Sequence, residues 1–222
     1  MFLEIKNKKT IAIFDFCETL VSIQTANDFV TYCHKRNKNL FSQTNEIIRT
    51  ICRKIGLLYG KRHKNWQLKQ LRGISLENLD ILAKHYVEKE LMQYENENIV
   101  RKLKWHKNQG HEIVICSGGF TSYIKYYGKI IQADYVIATD LEIENGKLTG
   151  KIDGDDCMGI KKIKKLSNTL DINSIDLEQS FAYSDNISDI PLLSFVGNGV
   201  VVDFGQDISW AQLMQYGVIS AK

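Results

Sequence analysis

Thr10 to Val21 reads TIAIFDFCETLV. It opens as a run of Ile, Ala and Phe that is apolar throughout, the pattern of a strand buried on both faces in a parallel sheet. It then places an acidic residue, Asp15, where the strand should end. A buried carboxylate is costly unless it meets solvent, a metal or a partner. Asp15, with Thr19 and Leu20 behind it, therefore reads as part of a site on a first core strand.

Working outward, residues 111–117 (HEIVICS), 134–139 (DYVIAT), 180–184 (SFAYS) and 199–203 (GVVVD) are further short apolar runs. Stretches of helical spacing such as Thr121–Ile131 and Ile160–Leu170 lie between them. Strand and helix alternating in this way predict an α/β fold, a Rossmann-like doubly wound parallel sheet with right-handed crossovers. The interval from about Thr25 to Glu95 breaks the alternation: no strand is readable there, and Ser75 and Glu77 are candidate helix starts. It is read as an all-helical cap inserted after the first strand, over the carboxyl edge where open α/β sheets bind ligands. The expected division is a core of residues 1–24 and 96–222 and a cap of residues 25–95. In LEIENGKLTGKIDG, Leu141–Gly154, Asn145-Gly146 separates two alternating segments and predicts a small β-hairpin with a primed turn.

The chain has 222 residues, 44% hydrophobic and 25% charged, which excludes low-complexity and disordered classes. No apolar run approaches the roughly 20 residues of a membrane span, so no membrane partner is expected. The N-terminal MFLEIKNKKTIAIF lacks a signal-peptide pattern, which points to a cytoplasmic enzyme. Cys17, Cys33, Cys52, Cys116 and Cys157 form no CxxC pair and are odd in number, a pattern of reduced thiols in place of a disulfide framework or zinc site. A net charge of +3 does not imply nucleic-acid binding. Ile47 to Leu76 nevertheless has no acidic residue and carries Arg49, Arg53, Lys54, Lys61, Arg62, Lys64, Lys69 and Arg72, either a solvated helical face or an anion-facing surface. Tyr59 and Trp66 are too few to make a base-stacking platform.

Three further segments carry chemistry. CSGGF, Cys116–Phe120, is either a simple tight turn or a phosphate seat made of backbone N–H groups and a helix N-terminus. CMGIKKIKKL, Cys157–Leu166, offers lysines at 161, 162, 164 and 165, one of which could reach a phosphate. AYSDNISDIPLL, Ala182–Leu193, sets Asp185 and Asp189 four residues apart after a strand, with Pro191 near a helix start. Paired carboxylates there suit Mg²⁺, which prefers oxygen ligands.

Taken in order, Asp15…Thr19, Ser117-Gly118-Gly119, Lys162 and Asp185…Asp189 resemble the four motifs of the haloacid dehalogenase superfamily, and more narrowly its phosphoserine-phosphatase-like branch with a helical cap. Lys162 is chosen over Lys161 because Cys157-x-Gly159-x-x-Lys162 is similar to that branch's third motif. The resemblance implies a Mg²⁺-dependent phosphomonoesterase acting on a small phosphate ester through an aspartyl-phosphate. Asp15 would be the nucleophile. Asp15, the backbone carbonyl of Cys17 and Asp185 would hold the metal, with Asp189 as a further ligand or just behind it. Ser117, Gly118 and Lys162 would hold the phosphoryl oxygens, and Thr19 and Gln24 would face substrate.

Two residues depart from the family pattern. Cys17 stands where the family usually has the acid–base aspartate, and a thiol of pKa about 8.5 is a poor substitute. Glu18 or a cap histidine such as His34 could serve instead, the leaving group could need no proton, or the protein could be slow or trapped at the phosphoenzyme. Gln24 stands where phosphoserine phosphatases generally carry the glutamate that meets the substrate's ammonium, so phosphoserine is expected to be a weak substrate. Ser184 and Asn186 replace residues more usual around Asp185. Two other functions compete: a phosphotransferase passing the aspartyl-phosphate to an alcohol, and a non-hydrolytic phosphate- or partner-binding protein using the basic cap. Oligomeric state is not legible.

Overall fold

A computed structural model describes residues 8–36 and 68–221. Its centre is a six-stranded sheet in the order β3-β2-β1-β6-β7-β8, every neighbouring pair parallel. The strands are β1 (Ile11–Phe14), β2 (Glu112–Phe120), β3 (Tyr135–Thr139), β6 (Phe181–Ser184), β7 (Asn198–Asp203) and β8 (Gly217–Ser220). All four residues of β1 are buried, as its uninterrupted apolar run requires. Ala12 and Phe14 join the hydrophobic cluster on one face of the sheet, Ile11 and Ile13 the cluster on the other. The chain therefore folds as the expected Rossmann-like α/β core.

The helices are α1 (Thr25–Arg36), α2 (Leu76–Tyr86), α3 (Glu97–Asn108), α4 (Thr121–Ile131), α5 (Ile160–Thr169), α6 (Ile190–Leu193) and α7 (Ser209–Leu213). Ser75 is the N-cap of α2, its hydroxyl accepting from the Asn78 N–H. Pro191 sits in the first turn of α6, where its missing N–H costs nothing. Of the segment read as a cap, α1, α2 and short turns at Val87–Tyr94 are described, without a named strand. Their aromatic side chains join the cluster over β1: Phe29 lies 4.8 Å and Tyr86 5.5 Å from the Tyr123 ring of α4. Arg49 to Lys64, with Tyr59 and Trp66, lie outside the described residues, while Lys69 and Arg72 are exposed.

The hairpin is present as β4 (Leu141–Glu144) and β5 (Lys147–Ile152), with Asn145 and Gly146 both at positive φ as a primed turn demands. It is bonded on to the segment before α2: Gly73 N–H donates to Leu148 O at 2.8 Å, and Leu148 N–H to Ile74 O at 2.9 Å.

Three sequence expectations are corrected. The first strand, expected to end at Asp15, stops at Phe14, because the chain turns once Asp15 N–H has bonded Tyr183 O on β6. The second runs on to Phe120, so Ser117-Gly118-Gly119 is extended backbone: after a register shift Phe120 pairs with Thr139, whose hydroxyl also donates to Gly118 O. The edge strand β8 went unread because it is four residues long and largely exposed.

Candidate active site

The sheet order reverses between β1 and β6: β2 and β3 continue on one side of β1, β7 and β8 on the other side of β6. A crevice forms outside the carboxyl ends at such a switch point. Asp15 follows the last residue of β1, Asp185 the last of β6, and the Ser117 segment is the end of neighbouring β2. Here a cavity of about 430 Å³ is lined by Asp15, Cys17, Gln24, Ser117, Gly118, Lys162, Asp185 and Asp189 among others. Residues scattered over 175 positions of sequence thus meet because three parallel strands end together.

Lys162 holds the floor. It is carried by the first turn of α5 and almost wholly buried, with Nζ donating to Asp15 Oδ1 at 2.7 Å and to Asp189 Oδ2 at 2.6 Å. Burial opposes its charge, but the two carboxylates overcome that cost and hold the ammonium above its ordinary pKa. Burial also raises the Asp15 carboxyl, against the pull of Lys162. Asp185 is pushed up to about 7, first by burial and then by the charge of Asp15. Asp189 accepts a second bond from Ser184 Oγ at 2.7 Å.

A divalent cation fits this donor set. Three buried carboxylates, Asp15, Asp185 and Asp189, face one buried ammonium, Lys162. Among the described residues no group of three or more His, Cys, Asp or Glu is placed to hold a metal ion by itself. Mg²⁺ asks for less: one or two carboxylates, waters and substrate oxygens. Asp15 and Asp185 supply the two, while Asp189 is committed to Lys162 and Ser184.

Thr19 corrects the sequence reading. Expected to face substrate, it is fully buried and absent from the cavity wall; its hydroxyl donates to Asp185 Oδ1 at 3.2 Å and so positions that carboxylate. Asn96 fixes the same loop, its amide donating to Thr19 O at 2.7 Å and its backbone N–H to Leu20 O at 2.9 Å. Ser117 is buried and its Oγ accepts from Gly119 N–H at 3.1 Å, which leaves the hydroxyl hydrogen for a ligand.

Cys17 lies on the cavity wall with Sγ 3.1 Å from Thr25 Oγ1, which is 2.6 Å from Tyr123 Oη. Burial, then the neighbouring Asp15 charge, push the thiol up to about 11. Gln24 reaches the cavity but donates its amide to Glu18 Oε2 at 2.6 Å. Neither Glu18 nor His34 of α1 is part of the cavity wall. Glu18 itself sits at φ 55°, a left-handed conformation uncommon outside glycine, in the turn that follows Cys17. Thr25, Tyr123 and Asn96 were missed by sequence reasoning, and Ser184 was noted there without its partner. Their partners are 8, 98, 77 and 5 residues away, and no local signal marks them.

A crevice at a switch point, bottomed by a lysine between aspartates, defines a class. The haloacid dehalogenase-like hydrolase family matches residues 12–194, and the chain belongs to that family. Several of the chain's relatives are phosphoserine phosphatases. It is 24% identical to the phosphoserine phosphatase of Methanocaldococcus jannaschii over 192 residues, 86% of this chain and 84% of that one. It is 32% identical to the phosphoserine phosphatase of Haemophilus influenzae over 102 residues, 46% of this chain and only 32% of the relative. Among solved structures, a protein of unknown function from Bordetella pertussis superposes with a TM-score of 0.78 at 18% identity, covering 97% of this chain and 100% of that one. A phospho-aspartyl intermediate analogue of phosphoserine phosphatase superposes with a TM-score of 0.65 at 21% identity, covering 97% and 94%. These two likenesses concern the fold. Among the described residues no helix is long and apolar enough to cross a membrane.

Proposed function

We propose that the protein hydrolyses phosphomonoesters of small metabolites through an aspartyl-phosphate on Asp15, with Mg²⁺ held by Asp15, the Cys17 carbonyl and Asp185. The observation that carries this reading is Lys162 bridging Asp15 and Asp189 at the bottom of a cavity walled by the Ser117 segment. A carboxylate approaches a phosphate dianion only where cations offset the repulsion, and transfers of this kind rely on positioning and electrostatics. Lys162 holds Asp15 in place and neutralises charge, Ser117 donates its hydroxyl to a phosphoryl oxygen, and Asp15 attacks phosphorus as the ester oxygen leaves. The metal, when bound, supplies charge neutralisation between carboxylates and phosphate. Water then releases phosphate from Asp15.

The rest of the wall gives the substrate its character. Gln24, Ala26, Asn27, Phe120, Met158, Asn186 and Ser188 carry no charge. With Gln24 in place of an acid, the preferred leaving group is a neutral polyol, amide or sugar, and phosphoserine is a poor substrate. Residues 25–95 are assigned to the cap, whose helix α1 brings Ala26 and Asn27 to this cavity, and the compartment is the cytoplasm, which the four described free thiols suit.

Cys17 favours a second reading. Its thiol stays protonated at neutral pH, so it cannot serve as a base toward water, and an alcohol held in the cavity could accept the phosphoryl group instead. Phosphate release from an aryl phosphate with Mg²⁺ tests the first reading, because an aryl leaving group needs no proton. Steady release is expected, with neutral sugar or polyol phosphates ahead of phosphoserine in a panel. No release refutes the hydrolase, phosphoserine at the head of the panel refutes the specificity, and product that shifts to a new ester on adding alcohol selects the transferase.

A further inference from the structure

Cys116 and Cys157 have no part in the chemistry above, yet they face each other directly behind it. Cys116 is the residue before Ser117, and Cys157 is the residue before Met158 in the approach to α5, the helix of Lys162. Both are fully buried, and their sulfurs are 3.7 Å apart. We propose that Cys116 and Cys157 are a modification site, an oxidisable dithiol that closes to a disulfide on exposure to peroxide and so disturbs the phosphate-binding segments on either side.

The surroundings explain why closure would be felt. Cys157 N–H donates to Thr139 Oγ1 at 3.0 Å, and that hydroxyl donates to Gly118 O at 3.0 Å. The two cysteine segments are thus already tied together through the Thr139 hydroxyl. Drawing the sulfurs from 3.7 Å to the about 2.0 Å of an S–S bond moves one segment or the other. A displacement of about 1 Å in a positioning element is enough to slow turnover on the order of 10-fold or more.

The cysteine segments adjoin the cavity, which is lined by their neighbours Ser117 and Met158. Met158 is half-exposed, lines the cavity wall, and lies so close over Gly118 that its Cγ would be 2.8 Å from a Cβ placed there. The Cys157 carbonyl lies 3.5 Å from the same point, so the Cys157 segment packs directly on the Gly118 segment of the cavity wall. The order of attack follows the environment: the bond from Cys116, then the charges of Lys162 and Lys165, hold the Cys157 thiol below its ordinary pKa, while burial raises that of Cys116. The Cys157 sulfur attacks one peroxide oxygen, the O–O bond breaks, and a sulfenic acid forms with loss of one water. The Cys116 sulfur then attacks the sulfenic sulfur, the S–O bond breaks, and the oxygen leaves as a second water with the thiol proton. Two electrons pass from the two thiols to one peroxide.

The test is peptide mapping of the intact chain after hydrogen peroxide and catalase, with remaining thiols alkylated in denaturant. The thiol readout does not depend on the phosphatase reading. Of five cysteines, Cys116 and Cys157 are expected in one cross-linked peptide pair, returned to free thiols by dithiothreitol. In Cys157→Ser, Cys116 is expected to stay alkylatable. Aryl-phosphate turnover is expected to fall about 10-fold on cross-linking and to recover on reduction. Full alkylation of both cysteines, a cross-link involving Cys17 or Cys52 instead, or undiminished turnover of the cross-linked protein overturns the proposal.

Discussion

On one side of β6, His106 of α3 has one ring nitrogen 2.8 Å from a His111 nitrogen and the other 2.8 Å from Tyr183 Oη, while Tyr183 stacks on Phe14 at 4.6 Å. At the carboxyl end of the same strand, Lys162 sits between Asp15 and Asp189, with Asp185 alongside. Both clusters bury polar atoms next to β1, but they settle the cost differently. The histidine cluster closes on itself with neutral partners: burial, then His111, lower the His106 ring to about 3, so it carries no charge at neutral pH. The aspartate cluster has three carboxylates to one ammonium and opens into a cavity. Buried polar groups that satisfy one another hold a fold together, whereas an unbalanced charge at a crevice is kept for a ligand.

That contrast can be broken by substitution. Asp15→Asn is expected to lower turnover by about 10⁴-fold or more, as loss of a nucleophile does. The melting temperature is expected not to fall, because a buried negative charge has been removed; a large drop in melting temperature would place Asp15 with the structural groups. Cys17→Asp restores the family's acid–base carboxylate and is expected to raise turnover of alkyl phosphates by about 10²-fold. Equal or lower turnover in a folded variant would mean that another group already does that work. His106→Ala should do the reverse of Asp15→Asn, costing about 2–4 kcal/mol in denaturant unfolding with little change in turnover per folded molecule.

The smallest effect is in pH. His106 is held near 3 when folded and returns to about 6.5 when unfolded, so the unfolded chain binds the extra proton in between. Its contribution to stability is complete above pH 6.5 and declines by about 1.4 kcal/mol per pH unit as the pH falls toward 3. Denaturation at pH 7, 6 and 5 should show a shallower acid slope for His106→Gln than for the parent chain; parallel slopes would deny the histidine this role.

Much of this was legible in the sequence because it is local. The apolar runs around Ile13, Val114 and Val201 fall on strands, Asn145-Gly146 forms its turn, and Ser75 caps its helix. The motif aspartates could be placed because they follow apolar strand runs, whereas Lys162 was singled out among four lysines only by the resemblance of its segment to a family motif. What stayed hidden depends on contacts across the fold. Thr19 looked like a substrate ligand until Asp185, 166 residues on, took its hydroxyl. The Ser117 segment read equally as a tight turn or a phosphate seat because its glycines are permissive, and the bond from Thr139 holds it extended. The cysteines looked scattered until the sheet and α5 brought two of the five together.

The central claim is that the unbalanced cluster exists to let Asp15 take a phosphoryl group. Rapid acid quenching during turnover of an aryl phosphate with Mg²⁺, followed by mass mapping of the peptides, tests it directly. One added phosphoryl mass is expected on the peptide containing Asp15, sensitive to hydroxylamine and absent in Asp15→Asn. A steadily turning-over protein with no such adduct, or with the phosphoryl group on Ser117 instead, would contradict it.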